Sequence, residues 1–209
     1  QAPRAAEPLM HPHPAFRWED RPAIRDLVRD IGFGALFAAT PDGPRVAHVP
    51  VVWLDDDTLG FHLARGNGLA RHLDGATALF NLQGLDAYVS PDWYGAGPDE
   101  VPTWNYVAVE LEGQVTRTDE DGLVAILDAI SREQERRLAP KPEWTLAKVD
   151  PARTARLLTA IIGYRMEIRA WRGTRKLGQN KPDAARLAAA DALAAQGRDG
   201  IAALMRGAK

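Results

Sequence analysis

The sequence contains no cysteine, and this absence removes several kinds of chemistry. Disulfide bonds, thiolate metal sites and thiol nucleophiles all need a cysteine side chain, so none of them can operate in this chain. The absence also fits a reducing compartment, where disulfides rarely persist. We therefore expect a cytoplasmic protein.

A long apolar run and an excess of positive charge are also missing. No apolar run approaches the ~20 residues that a membrane-spanning helix needs, so we expect no membrane partner. The 26 basic residues against 28 acidic ones give a formal net charge of -2, so no overall positive field attracts nucleic acid. Any DNA contact would have to be local. A hydrophobic content of 45% is typical of globular chains and predicts a buried core.

The order of local patterns predicts an α+β protein with one domain. Residues 1–9 are rich in alanine and proline and lack periodicity, which indicates a disordered leader with Met10 as the native start. Residues 10–209 should form one domain with C-terminal helices. The patterns predict strands at 33–40, 46–54, 58–64, 77–83, 86–90, 103–116 and 164–171, and helices at about 20–31, 69–73 and 119–138, after Asp150 and from Pro182 onward. Because helices lie between hairpins rather than after every strand, we expect a mainly antiparallel barrel.

Three of these segments carry predictions about particular side chains. Pro50 cannot donate a ladder hydrogen bond, so its strand should lie at an edge or contain a bulge. Alternation along 103–116 places Asn105 and the apolar residues after it in the interior. The helix after Asp150 should bury Leu157, Leu158, Ile161 and Ile162.

Two motif interpretations are discarded. Residues 66–71, GNGLAR, resemble a dinucleotide-binding turn, but the third glycine is replaced by Arg71 and no parallel βαβ unit surrounds it. The five histidines show no metal-ligand spacing. We therefore assign no metal site.

Two aromatic and polar segments are the most informative part of the chain. YVSPDWY (88–94) and VPTWNY (101–106) flank a short Gly/Pro loop at 95–98. An isoalloxazine ring needs a flat apolar surface and a few fixed hydrogen-bond donors, which these residue types supply together. Taken alone, Trp93, Tyr94 and Trp104 are each better explained as core residues than as ligand contacts. The polar residues favour a ligand because buried polar groups require partners; they are Ser90, Thr103 and Asn105.

A basic residue at a strand-to-helix junction suggests a phosphate site. Arg65 offers a guanidinium group, and Asn67 and Gly68 offer backbone amides at the start of the next helix. A solvated surface charge is the alternative interpretation of Arg65.

The same segments resemble the signature of the PaiB-type family of FMN-binding negative transcriptional regulators. YVSPDWY and VPTWNYVAVELEG (101–113) are similar to that family's YVSPsWY and vPTWNYvaVh segments. GFHLARGN (60–67), KLGQNK (176–181) and MHPHPAFRWED (10–20) also look like family segments, in the expected order. The chain departs from the family in a shorter loop at 95–100 without its common lysine.

This resemblance implies a split β-barrel like that of pyridoxamine-phosphate oxidase, a homodimer, and FMN at the subunit interface. It also raises the polar loop at 176–181, otherwise an ordinary surface turn, to a candidate for closing the partner subunit's FMN site. The candidate FMN contacts are His62, Arg65, Asn67, Tyr88, Ser90, Trp93, Thr103, Asn105, Tyr106, Lys176, Gln179, Asn180 and Lys181.

The family name implies a regulatory or redox-sensing protein linked to transcriptional repression. Two other functions stay open: a flavin-dependent oxidoreductase acting on a small molecule, and a haem-binding split barrel using a histidine such as His62. No catalytic residue is assigned. Direct DNA binding has no support from charge or from a helix-turn-helix, because Arg186, Arg198 and Arg206 are too dispersed to form a base-reading face.

Overall fold

A computed structural model describes residues 10–95, 97 and 99–208. The disordered leader predicted at 1–9 lies outside the described residues. The strands are β1 (Arg17–Trp18), β2 (Phe33–Thr40), β3 (Gly43–Trp53), β4 (Thr58–Ala64), β5 (Thr77–Val89), β6 (Thr103–Arg117) and β7 (Ile161–Lys176). The α-helices are α1 (Arg21–Ile31), α2 (Ala70–Leu73), α3 (Glu120–Arg136), α4 (Pro151–Leu158), α5 (Asp183–Ala195) and α6 (Asp199–Gly207). Short 3-10 helices cover Pro14–Phe16, Pro91–Tyr94 and Leu146–Lys148.

The strands form one seven-stranded antiparallel sheet in the order β1-β7-β4-β3-β2-β5-β6. Strand β6 also pairs with β7, so the sheet closes on itself. The predicted hairpin of β2 and β3 is present, with Phe33 opposite Pro50 at one end and Thr40 opposite Gly43 at the turn. The mainly antiparallel barrel predicted from the sequence is confirmed.

The prediction that Pro50 lies at an edge or a bulge holds only locally, because β3 as a whole is not an edge strand. Strand β3 lies between β2 and β4, but its ladder with β4 involves only Val51, Val52 and Trp53. Pro50 therefore sits where β3 pairs with β2 alone. The missing N–H of proline costs no ladder bond there, which is why a central strand tolerates it.

Strand β5 is continuous, whereas the sequence predicted two strands separated near Gly84. A Cβ on Gly84 would lie 3.3 Å from the carbonyl oxygen of Val107, so this glycine marks a close approach of two backbones. A glycine inside a strand has this role as readily as it marks a turn. Local composition could not distinguish the two.

Helix α4 is shorter and less buried than predicted. It ends at Leu158, so Ile161 and Ile162 belong to β7. Leu157 is 53% exposed, which contradicts the predicted burial of that face. The helices predicted from Pro182 onward are α5 and α6, and α5 ends before Gly197, which adopts a positive φ of 75°.

The described chain divides into two compact units. The first comprises the described residues up to Asp20, then Gln83–Val109, and the chain from Arg172 onward; the second comprises Arg21–Leu82 and Glu110–Trp171. Buried side chains of the first unit include Val107, Leu177, Leu193 and Met205, and those of the second include Leu36, Phe61, Phe80 and Tyr164. The single domain expected from residue 10 onward stays a prediction. No described helix is long and apolar enough to cross a membrane.

Candidate functional site

The predicted contact residues fall into two groups. His62, Arg65 and Asn67 belong to the second unit. All the others belong to the first unit: Tyr88, Ser90, Trp93, Thr103, Asn105, Tyr106, Lys176, Gln179, Asn180 and Lys181.

An exposed pair of aromatic rings lies on β5 and β6 of the first unit. Tyr88 and Trp104 are 48% and 56% exposed, and their rings meet edge to face with centroids 6.1 Å apart. Large exposed aromatic rings are unusual unless a partner or ligand covers them. Trp104 was not among the predicted contacts, although strand alternation already placed it on the face opposite Asn105. We add it to the candidate surface.

Lys181 holds the segment that follows Tyr88. Its ammonium group pairs with the carboxylate of Glu100 and lies 4.9 Å from the centroid of the Tyr94 ring. Burial and then the charge of Glu100 raise the pKa of the Tyr94 hydroxyl. Trp93, beside it in the 3-10 helix, is half-buried. The backbone N–H of Trp93 donates to the backbone carbonyl of Ser90 at 3.2 Å. Lys181 thus connects the C-terminal loop to the aromatic segment.

Asn105 points into the interior of the first unit. It is 1% exposed, and its amide donates to the sulfur of Met205 in α6 at 3.3 Å. The predicted inward face of β6 is therefore confirmed, and Val107, Val109 and Leu111 are buried with it. Tyr106, on the other face of the strand, is half-buried, and burial raises the pKa of its hydroxyl.

Lys176 is joined to β6 by a hydrogen bond. Its ammonium donates to the hydroxyl of Thr103, and burial lowers the pKa of the lysine. The neighbouring amide of Gln179 is used within its own loop, accepting from Leu177 N at 2.7 Å and donating to the carbonyl of Arg175 at 2.6 Å. Gln179 therefore shapes the turn, while the next residue, Asn180, is exposed.

Arg65 braces the start of β7 in the second unit. Its Nε donates to the carbonyl of Thr159 at 2.9 Å and its Nη2 to that of Ile161 at 3.4 Å. The side chain lines a small cavity of about 190 Å³ that Arg117 also lines. Asn67 accepts from Leu69 N at 2.9 Å and so stabilises the turn before α2. The Nη1 group of Arg65 has no acceptor among the described residues, so it is available to a ligand.

His62 lies on the face of β4 that α3 covers. It pairs with Gly163, so both residues share a face. A Cβ on Gly163 would lie 3.1 Å from the Cβ of Leu123, and one on Gly60 would lie 2.9 Å from a side-chain carbon of Ile126. The Nδ1 atom of His62 is buried with no hydrogen-bond partner among the described residues, and burial lowers the pKa of the imidazole. His62 is therefore a neutral imidazole with one unused polar atom.

The residues of each unit fit the chemistry of a flavin. The Tyr88 and Trp104 rings offer a flat apolar surface in the first unit. Lys176 supplies a positive charge there, and Arg65 supplies one in the second unit. A closed antiparallel barrel with these groups defines a flavin-binding split-barrel protein.

Comparison with known proteins agrees with this class. The chain belongs to the family described as "Putative FMN-binding domain", whose model matches residues 10–170. It is 26% identical over 170 residues to the protease synthase and sporulation protein PAI 2 of Bacillus subtilis (strain 168), covering 79% of this chain and 80% of that protein. FMN is thus the cofactor of its family, and the predicted PaiB-type resemblance is confirmed.

Two solved structures share the fold. The FAD and heme binding protein of Mycobacterium smegmatis superposes with a TM-score of 0.59 at 19% identity, covering 78% of this chain and 74% of that one. The flavocytochrome Anf3 of Azotobacter vinelandii does so with a TM-score of 0.55 at 15% identity, covering 78% and 70%.

Proposed function

We propose that this chain is a regulatory or redox-sensing flavoprotein of the PaiB type, linked to transcriptional repression. Its family is described as "Putative FMN-binding domain", and the Bacillus relative is named as a protease synthase and sporulation protein. The observation that carries the flavin part lies on one stretch of β6. There Thr103 bonds Lys176, and the next residue, Trp104, presents an exposed ring to Tyr88.

The predicted contacts divide between the parts of FMN by their chemistry. Arg65, with the backbone amide of Gly68, is proposed to hold the phosphate, which carries about two negative charges. The backbone amide of Asn67 already donates to the carbonyl of Ala64 at 2.9 Å. The aromatic and polar residues of the first unit are proposed to hold the isoalloxazine ring. When bound, FMN supplies reversible redox chemistry. The chain's part is to orient the ring and to place the Lys176 charge near it.

The contacts of the C-terminal arginines favour a regulatory protein that does not bind DNA directly. Arg186 is buried, and its guanidinium donates to the carbonyl of Met205 and to Asp183 at 2.8 Å. Arg206 pairs with Asp191 at 2.8 Å. Arginines used in this way brace a helical hairpin and are not free to read bases. We propose that the flavin, rather than an operator sequence, is what this protein recognises.

A homodimer is part of the proposal, with each FMN site drawing residues from both chains. The exposed Tyr88 and Trp104 rings support it, since interfaces are enriched in aromatic residues. Sedimentation should show a dimer that holds FMN. A stable monomer that retains FMN would exclude this arrangement.

Titration of the purified protein with FMN, riboflavin and FAD tests the flavin assignment. We expect FMN to bind and the other two to bind poorly, because Arg65 recognises a terminal phosphate. Equal calorimetric affinity for riboflavin would show that no phosphate site exists. The absorption spectrum separates flavin from haem in the same sample. A haem spectrum would overturn the proposal, and the α3 cover over His62 argues against that outcome.

A flavin-dependent oxidoreductase acting on a small molecule is the second candidate. The half-buried Lys176 favours it, because burial lowers the pKa of its ammonium group and so makes proton donation easier. Turnover of reduced flavin by added acceptors would support this candidate. A flavin that cycles only between its own redox states would favour the sensor.

A further inference from the structure

Three nitrogen-bearing side chains of the first unit surround one buried ring. Phe16 is 2% exposed. His13 stacks on it at 4.8 Å between centroids, His11 meets it edge-on at 4.8 Å, and the ammonium of Lys176 lies 5.9 Å from the ring centroid. We call His11, His13, Thr103 and Lys176 the Phe16 cluster. The Phe16 ring thus lies in contact with both imidazoles and near the Lys176 ammonium.

The Phe16 cluster has hydrogen-bond donors but lacks acceptors for them. His11 Nδ1 accepts from the backbone N–H of His13 at 3.1 Å, and His13 Nδ1 accepts from that of Ala15 at 3.2 Å. In the neutral state each imidazole therefore carries its hydrogen on Nε2, which leaves a free donor. Lys176 donates one hydrogen to Thr103, whose own hydroxyl hydrogen remains available with the rest of the ammonium. Several donors thus lack an acceptor among the described residues.

The neighbouring carboxylates do not neutralise the cluster. Glu19 pairs with Arg17 at 3.6 Å, and Glu100 pairs with Lys181. The remaining nearby cation, Arg175, lies over the ring of Trp18. Among the described residues, no carboxylate forms an ion pair with a member of the cluster.

The pKa values of two members of the cluster are lowered, chiefly by burial. Burial, followed by the charges of Lys176 and His13, lowers the pKa of His11. Burial also lowers the pKa of Lys176. Both effects disfavour the charged forms, and a negative group at the same place would reverse them.

We propose that the Phe16 cluster is a binding site for an oxyanion, either a carboxylate or a phosphate. A metal ion is the alternative partner of two imidazoles. However, the described residues hold no group of three metal ligands, and the Lys176 charge repels a cation. The oxyanion is an acidic group on a small molecule that works alongside the flavin, because Arg65 is the proposed partner of the FMN phosphate. The inference deepens the proposed function, since Thr103 and Lys176 are proposed FMN contacts, but its test uses the flavin-free protein.

Titration of the histidine rings by NMR, with and without sulfate, tests the site. Sulfate keeps its double charge between about pH 5.5 and about pH 8, so any change with pH comes from the protein. We expect sulfate to shift the ring resonances of His11 and His13 and to leave those of His48 and His72 unchanged. Sulfate should bind more tightly as the pH falls, by about tenfold for each unit by which it raises a histidine pKa. Equal titration with and without sulfate would overturn the proposal.

Variants of Lys176 test whether its ammonium group is part of the proposed oxyanion site. Lys176→Met should weaken sulfate binding about tenfold to hundredfold, and the exposed Lys148→Met should not change it. Lys176→Gln replaces the first variant if that one fails to fold by circular dichroism. A folded Lys176 variant that binds sulfate like the wild type would exclude the site.

Competition with flavins then identifies the source of the oxyanion. Retention of sulfate with FMN bound assigns the site to a second small molecule and supports the proposal. Release of sulfate by FMN but not by riboflavin would show that the FMN phosphate occupies the cluster, which would overturn this inference and the Arg65 assignment together. If sulfate binds but no flavin does, the proposed function fails and this inference stands.

Discussion

Replacing Arg65 by alanine separates phosphate recognition from structural bracing. The guanidinium makes two hydrogen bonds to backbone carbonyls, those of Thr159 and Ile161. A charge-assisted bond to phosphate contributes about 1.5–3 kcal/mol, which corresponds to a tenfold to hundredfold loss of FMN affinity. Because Arg65 is exposed, water can replace it at the two carbonyls. The loss of stability should therefore be about 1 kcal/mol, or roughly 2–4 °C in melting temperature.

Flavin fluorescence titration distinguishes these two effects when riboflavin is compared with FMN. Arg65→Ala should weaken FMN binding and leave riboflavin binding unchanged, since riboflavin has no phosphate. Arg65→Lys keeps the charge but loses the planar donor geometry, so its FMN affinity should be intermediate. Arg71→Ala is the matched control, because Arg71 is an exposed arginine whose nearest carboxylate, Asp42, is 3.8 Å away.

Two results would refute this reasoning. If Arg65→Ala binds FMN like the wild type, with its circular dichroism unchanged, the phosphate assignment is wrong and Arg65 only braces the backbone. If FMN and riboflavin lose affinity equally, the variant has disturbed the fold rather than a phosphate contact.

Three further predictions test the interior and its neighbours. Asn105→Ala should lower FMN affinity by only about 0.5–1.5 kcal/mol, less than Arg65→Ala. It should also lower the free energy of unfolding measured with urea, because the Asn105 amide is buried against Met205. The free energy of unfolding should fall as the pH drops below about 6.5, because the pKa of His62 is lower in the folded chain than in the unfolded chain, which therefore binds the proton first. His62→Gln should make the unfolding free energy depend less steeply on pH. Gly113→Ala would place a Cβ 2.1 Å from a backbone oxygen and should cost about 1–3 kcal/mol or more, whereas Gly66→Ala, with nothing within 4 Å, should leave the urea midpoint unchanged.

Much of the architecture was predictable because its signals are local. Alternation along β6 placed Val107, Val109 and Leu111 in the interior, and the structure buries all three. Helical spacing likewise predicts one apolar face of α3, formed by Leu123, Ile126, Leu127 and Ile130, of which Leu123 and Ile126 are buried and the other two half-buried. Local signals failed where one residue type has two roles. The break expected between residues 83 and 86 lies inside a strand, and Leu157, predicted to be buried, is exposed, whereas Ile162 is buried as predicted.

The sequence by itself determined the family, through motifs long enough to be specific, and the mainly antiparallel barrel, through periodicity. Tertiary structure alone decided which polar atoms are already used. Asn105 bonds Met205, 100 residues away, and Arg65 bonds a carbonyl 94 residues away. The Phe16 cluster likewise joins the N-terminal segment to Lys176 at the end of β7. Periodicity reports which face of an element is apolar, but a hydrogen-bond partner depends on how distant segments close onto one another, and no local pattern contains that information.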